Sequence, residues 1–211
     1  PAGYSITWAG QYEYMERAKA KLTYVVPLTL AIIVILLYLN FRAFSEVAII
    51  IVTLPMAMIG GLWLMYLEGF NFSVAVGVGF IALAGVAVEI GVIMLVYLNQ
   101  ALAELKEKAK ERAELISEDE YQDALLHGAG LRVRPVMMTV ATIIIGLMPI
   151  LYGTGTGSEV MSRIAAPMVG GMTSAVLLTL IVLPAIYSIV KKPEVNAFNK
   201  ELSNSELKNN A

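Results

Sequence analysis

The chain has no cysteine, one histidine and few charges, with Asp, Glu, Lys and Arg making up 15% of its 211 residues. Without cysteine there is no disulfide, no thiolate metal site and no thiol nucleophile, and redox compartment leaves no mark on the sequence. The lone His127 lies in a charged stretch, which suits solvent exposure better than ligation. Basic residues never accumulate without acids, and the formal net charge is −2, so nucleic acid is excluded as a partner. What the chain does have is apolar surface. Hydrophobic residues make up 58% of it and the mean hydropathy is +0.71, which excludes an ordinary soluble globule. Five stretches, 22–41, 47–67, 73–98, 133–152 and 164–190, are long enough to cross a bilayer as helices. The expectation is an all-α membrane protein, a helical transmembrane bundle solvated by lipid.

Against that background the few polar residues inside the spans carry information. Glu89 is the only charge between Ser73 and Leu98, and helical rise puts it roughly 14 Å from the Leu98 end, near mid-membrane. An ionisable group there costs roughly 2.5–3.5 kcal/mol on insertion scales, which points to a proton or ion site facing protein. The alternative is a structural carboxylate, kept protonated or paired with a neighbouring helix. Ala75, Gly79, Ala82 and Gly85 precede Glu89 at steps of four, three, three and four, which predicts a small-residue face packed against protein and shielding the carboxylate. By the same spacing Arg132, Val136, Thr139, Thr142 and Gly146 form a polar stripe predicted to face the bundle, unless both threonines bond back to their own helix. Met161, Ala165, Met168 and Met172 form another stripe. Thioethers suit soft cations such as Cu(I) and Ag(I), although methionine in an apolar chain is more often packing.

The polar segment 101–131 is periodic. Leu102, Leu105, Ala109, Ala113 and Ile116 predict an amphipathic helix lying along the cytoplasmic membrane surface, and Ser117 with Glu120 forms a capping box for a short helix ending near Gly128. A solvated connector without chemistry is the favoured reading of this segment. Gly170-Gly171 and Pro184 suit close packing and a kink. After Pro193 the chain is rich in Asn, Ser, Lys and Glu and is predicted to be disordered. The positive-inside bias places Arg42, the basic residues of 106–134, Lys191 and Lys192 in the cytoplasm, with the N-terminus periplasmic and the C-terminus cytoplasmic. Arg17, Lys19 and Lys21 oppose that orientation, offset by Glu13 and Glu16, and upstream helices would remove the conflict. A start at Pro1 without a signal peptide, with a span only about 21 residues on, reads as a piece of something longer.

Three runs carry a specific resemblance: Gly77-Val-Gly-Phe-Ile-Ala-Leu-Ala-Gly-Val-Ala-Val-Glu89-Ile-Gly-Val, Arg132-Val-Arg-Pro-Val-Met-Met-Thr139, and the run from Gly153 through Glu159-Val-Met-Ser-Arg163 to Gly171. Over residues 1–192 the chain resembles the C-terminal membrane half of a heavy-metal efflux pump of the resistance-nodulation-division (RND) superfamily, in its copper/silver branch. The segment Gly3-Tyr-Ser-Ile-Thr-Trp-Ala-Gly10 is similar to the end of the second large periplasmic region. The resemblance implies that 1–21 is the end of that region with a lead-in helix. Residues 22–192 would then hold transmembrane helices eight to twelve of twelve, with the amphipathic segment 101–131 as a cytoplasmic surface helix, and 193–211 would be a disordered cytoplasmic tail.

The resemblance further implies a proton/cation antiporter of the bacterial inner membrane rather than an enzyme. Such a pump is a homotrimer that works with a periplasmic adaptor and an outer-membrane channel, and it needs the N-terminal half that precedes this segment. No cofactor is implied; a metal cation is cargo. Glu89, Arg132 and Thr139 match the proton relay, and Met161 matches a waypoint for the transported ion. Where the copper/silver branch carries a relay Lys just after the Arg-Pro, this chain has Val136, apolar as in divalent-metal and drug pumps. The sequence favours Cu(I)/Ag(I) efflux, with efflux of a divalent metal such as zinc or of an amphiphilic drug as the alternative, and a noncatalytic membrane subunit or remnant as the second.

Overall fold

A computed structural model describes residues 10–112 and 114–209, so most of the Gly3–Gly10 motif, Ala113 of the apolar stripe and the last two residues lie outside the described structure. All regular structure among the described residues is helical: α1 Gln11–Phe41, α2 Phe44–Leu67, α3 Val74–Arg112, α4 Glu118–Leu151, α5 Ser158–Leu177, a π-helical turn Leu178–Val182, and α6 Leu183–Asn209. Among the described residues, five helical stretches are long and apolar enough to cross a membrane, α5 and α6 forming one of them through the π turn. Helix is what such sequences must form in lipid, where every backbone N–H and C=O needs an internal partner.

The chain divides into two units, residues 1–47 and 48–211. In the first, the lead-in and the first span are one helix, α1, with Glu13 and Arg17 ion-paired one turn apart near its start. It ends where Arg42 turns left-handed, at φ 55°, and donates its N–H to Tyr38 O at 2.8 Å. The Tyr38 and Phe44 rings meet across that corner with centroids 4.4 Å apart.

In the second unit close approach is made by glycine. A Cβ on Gly60 of α2 would overlap the Gly170 carbonyl and the Ser174 hydroxyl of α5, and one on Gly61 would lie 2.8 Å from Pro167 O. The Ser174 hydroxyl donates to Ala57 O at 2.7 Å across the same seam, satisfying in apolar surroundings a group that would otherwise be costly. Gly79 of α3 packs equally tightly on Ile164 and Pro167 of α5. Around these seams Val76, Phe80, Leu83 and Ile90 of α3, Val136 and Val140 of α4, and Met172 and Val176 of α5 form one buried cluster.

The polar segment differs from its sequence reading. The third span and the amphipathic stretch as far as Arg112 are a single 39-residue helix, roughly 58 Å long, about twice the thickness of a hydrocarbon core, and among the described residues no separate surface helix follows before α4. Its apolar face is covered by protein at Leu102 and Ala109, and Ile116, in the loop that follows, is buried as well. The capping box forms as read, with Ser117 Oγ accepting from Glu120 N at 3.2 Å and the Ser117 N–H donating to the Glu120 carboxylate at 3.4 Å. The helix it starts does not end at Gly128 but continues as α4 to Leu151. Gly128 instead lets α4 approach α3, where an added Cβ would lie 2.8 Å from Ala101 Cβ.

The tail is also corrected. Residues 193–209 extend α6 instead of being disordered. Val195 is buried, Phe198 lies beneath Lys106 and Lys110, and the Asn199 amide bonds both the N–H and the C=O of Ile116 at 3.0 Å. Glu194 accepts from Lys106 at 2.7 Å and Lys191 at 2.9 Å, and Lys192 pairs with Glu118 at 2.8 Å. Composition suggested disorder because the anchoring partners lie some 80 residues away in sequence. Partial burial pushes the Glu194 carboxyl up, but the two lysine hydrogen bonds outweigh it and hold the group below its ordinary value. The Lys192 hydrogen bond does the same for Glu118.

Candidate functional site in the membrane segment

Glu89 sits on α3, sixteen residues into the helix counting Val74 as the first, and its side chain is exposed on this chain. No hydrogen bond or ion pair reaches it among the described residues. The small-residue face predicted to shield it is split. Gly79 is buried against α5, whereas nothing lies within 4 Å of a Cβ placed on Gly85. The reason is angular: steps of four, three, three and four drift around a helix of 3.6 residues per turn, so the stripe is roughly 120° wide. Gly79 occupies one edge; Gly85, with Glu89 beside it, lies toward the other. The expectation that the carboxylate faces packed protein is thus not met within these residues.

The stripe on α4 has identical spacing and splits the same way. Val136, on the edge equivalent to Gly79, is buried in the core cluster, while Thr139, Thr142 and Gly146 are exposed. Both threonines bond back to their own helix, Thr139 to Pro135 O at 3.1 Å and Thr142 to Met138 O at 2.8 Å. The bland alternative is therefore what the structure contains, and the stripe does not face this bundle.

Arg132 rests against α3. Its guanidinium carbon lies 3.8 Å from the centroid of the Tyr97 ring on α3, and its Nε is buried without a hydrogen-bond partner among the described residues. Tyr97 is eight residues, roughly 12 Å of helix, from Glu89. The Arg132–Tyr97 and Gly128–Ala101 contacts fix an antiparallel register between α3 and α4. Continued by equal rises, that register brings Thr139 and Val140 level with Glu89 and Ile90, and Ile90 and Val140 do share the buried cluster. Glu89 and Thr139 thus open outward at one depth, with Arg132 about two turns away; no direct bond joins the three. Tyr97 was missed by sequence reading because its role depends on the interhelical register.

Met161 lies in the first turn of α5, 52% exposed, on a hollow of about 370 Å³ lined by Pro149, Ile150 and the Gly-Thr loop 153–158. The rest of its stripe packs: Ala165 is buried, Met168 lies against the core and Met172 is fully buried in it. No cluster of three His, Cys, Asp or Glu side chains is placed to hold a metal among the described residues.

A bundle of membrane-length helices, glycine-seamed and carrying one open mid-span carboxylate, defines a polytopic membrane protein. The chain matches the AcrB/AcrD/AcrF family over residues 1–191 and belongs to it. It is 55% identical over 188 residues to the cation efflux system protein CusA of Escherichia coli and 54% identical over 188 residues to the putative cation efflux system protein SilA of Salmonella typhimurium, covering 89% of this chain and 18% of each relative. It is 34% identical over 197 residues to the cobalt-zinc-cadmium resistance protein CzcA of Cupriavidus metallidurans, covering 93% of this chain and 17% of that protein. A crystal structure of a heavy metal efflux pump superposes on 90% of this chain with a TM-score of 0.73 at 36% identity. The chain spans 18% of that pump. The resemblance to the heavy-metal efflux branch of the RND superfamily thus holds over most of the chain.

Proposed function

We propose that this chain is the C-terminal membrane segment of a proton-driven heavy-metal efflux pump whose cargo is Cu(I) or Ag(I). The observation that carries the proposal is the 54–55% identity to two cation efflux proteins against 34% to a cobalt-zinc-cadmium resistance protein. The pump resides in the bacterial inner membrane as a homotrimer, joined to a periplasmic adaptor and an outer-membrane channel, with the polar ends of α3, α4 and α6 in the cytoplasm. Its activity is secondary transport. Glu89 takes up a proton from one side and releases it to the other, and the open edge of α3 on which it sits is the surface the N-terminal half covers. Thr139, level with it on α4, offers a hydroxyl at the same depth, and Arg132 supplies the positive charge of the relay. Met161 is a thioether waypoint for the cation, at the outer end of α5.

A second reading, export of a divalent cation such as Zn(II), draws on Val136. That side chain is 7% exposed within an apolar cluster, so the relay lysine of the copper/silver branch has no counterpart here.

The test is Glu89→Gln in the full pump, assayed in inverted membrane vesicles with Cu(I), Ag(I) and Zn(II). Amide for carboxyl keeps shape and removes the exchangeable proton. Assembly is expected to survive and transport of both soft cations to stop. Wild-type uptake of Cu(I) and Ag(I) by the Gln variant would refute the relay, and robust Zn(II) uptake by the unmodified pump would move the cargo to the divalent class.

A further inference from the structure

We propose that Tyr97 is a positioning residue for proton-coupled transport, holding the Arg132 guanidinium on its ring at a fixed depth on the α3–α4 seam. The inference rests on the relay reading of Arg132 given above and adds a residue that reading does not contain.

The geometry is specific. The guanidinium carbon stands 3.8 Å from the ring centroid, well within the roughly 6 Å reach of a cation–π contact and short enough for face-on stacking. Both side chains are half-buried, so the attraction acts where water screens it little. Arg132 Nε is buried with no acceptor. A guanidinium normally spends its donors on carboxylates, carbonyls or water, and an orphaned buried donor is destabilising. The ring face supplies the compensation that holds the group there.

Nearby packing makes that position rigid. A Cβ on Gly128, one turn before Arg132, would lie 2.8 Å from Ala101 Cβ and 3.3 Å from the Tyr97 carbonyl oxygen, so glycine is what lets the two helices approach at this register. Val136, one turn after Arg132, is locked in the core cluster. The side chain is therefore poised with its buried Nε donor unspent, and an acceptor that reaches it during the transport cycle gains a charge-assisted hydrogen bond. Arg134, exposed two residues away, has no such seat.

The experiment uses the full pump in proteoliposomes, with Ag(I) uptake driven by an imposed pH gradient and trimer content checked by size exclusion. Arg132→Ala tests the relay reading. Tyr97→Leu, Tyr97→Phe and the double variant Tyr97→Leu/Arg132→Ala test the positioning role, with Tyr97→Met in place of the leucine variant if that fails to assemble. Tyr97→Leu is expected to lower kcat ~10-fold with KM for Ag(I) unchanged. Tyr97→Phe, which keeps the ring face, should restore the rate, and the double variant should be no slower than Arg132→Ala alone. A wild-type rate for Tyr97→Leu, or losses that multiply in the double variant, would overturn the positioning role while leaving the relay reading intact. A wild-type rate for Arg132→Ala would remove both.

Discussion

Gly79 and Gly85 lie six residues apart on α3 and would contribute equally to helix propensity, yet alanine at the two positions is expected to act in opposite directions. A Cβ on Gly79 would overlap the Ile164 carbonyl oxygen and lie 2.5 Å from Pro167 Cγ. Neither neighbour can rotate away, since one is backbone and the other a ring, so α5 must move outward by roughly 1 Å to restore ordinary contact. That displacement loosens Ala165, Ala166 and Met172, all buried. Overpacking of this kind costs about 1–3 kcal/mol, against a gain of about 0.5–1 kcal/mol from replacing glycine in a helix. Gly79→Ala should therefore destabilise the chain by up to about 2.5 kcal/mol. Gly85→Ala meets nothing within 4 Å and should be neutral or stabilising by up to about 1 kcal/mol. The assay is thermal unfolding of the 211-residue chain in detergent micelles at one scan rate, with helical content checked by circular dichroism. Equal melting temperatures for the two variants would refute the packing argument, because propensity alone predicts no difference between them.

Two further outcomes follow from the same structure. Met172, fully buried, should lose about 2–5 kcal/mol on Met172→Ala, whereas Met161→Leu should cost less than about 1.5 kcal/mol in the same unfolding assay while removing the sulfur from the outer hollow. The docking of α6 beyond Pro193 should weaken with acid. Glu194 and Glu118 have carboxyls lowered by their lysine partners, so their contribution is complete above the unfolded carboxylate value of about 4.3 and is lost as pH falls through the lower folded value. Amide hydrogen exchange corrected for intrinsic rates should then show 193–204 losing protection below about pH 4 ahead of α3; protection unchanged down to pH 3 would show that Val195, Phe198 and Asn199 suffice to hold the segment.

Some of this was already decided by the order of residues. Spans appear wherever some twenty apolar residues run together, because lipid leaves the backbone no alternative to helix, and each of the five apolar runs lies in helix, although those helices run beyond the runs into polar sequence. The capping box at Ser117 is local chemistry, complete within four residues, and was legible for that reason. So was Glu89 as the singular mid-span charge. Tertiary structure decided what depends on partners distant in sequence. Helical periodicity grouped Gly79 with Gly85 and Val136 with Thr142, but a stripe roughly 120° wide has two edges, and only the position of α5 determines which edge is buried. The amphipathic stretch joined the third span as one helix because α4 and α6 cover its apolar face, which lipid would otherwise have claimed. The polar tail became helix because Glu194 and Asn199 meet Lys106 and Ile116 from more than eighty residues away. Arg132 came to rest on Tyr97 because Gly128 sets the register of α3 against α4, a distance between helices that neither residue encodes alone.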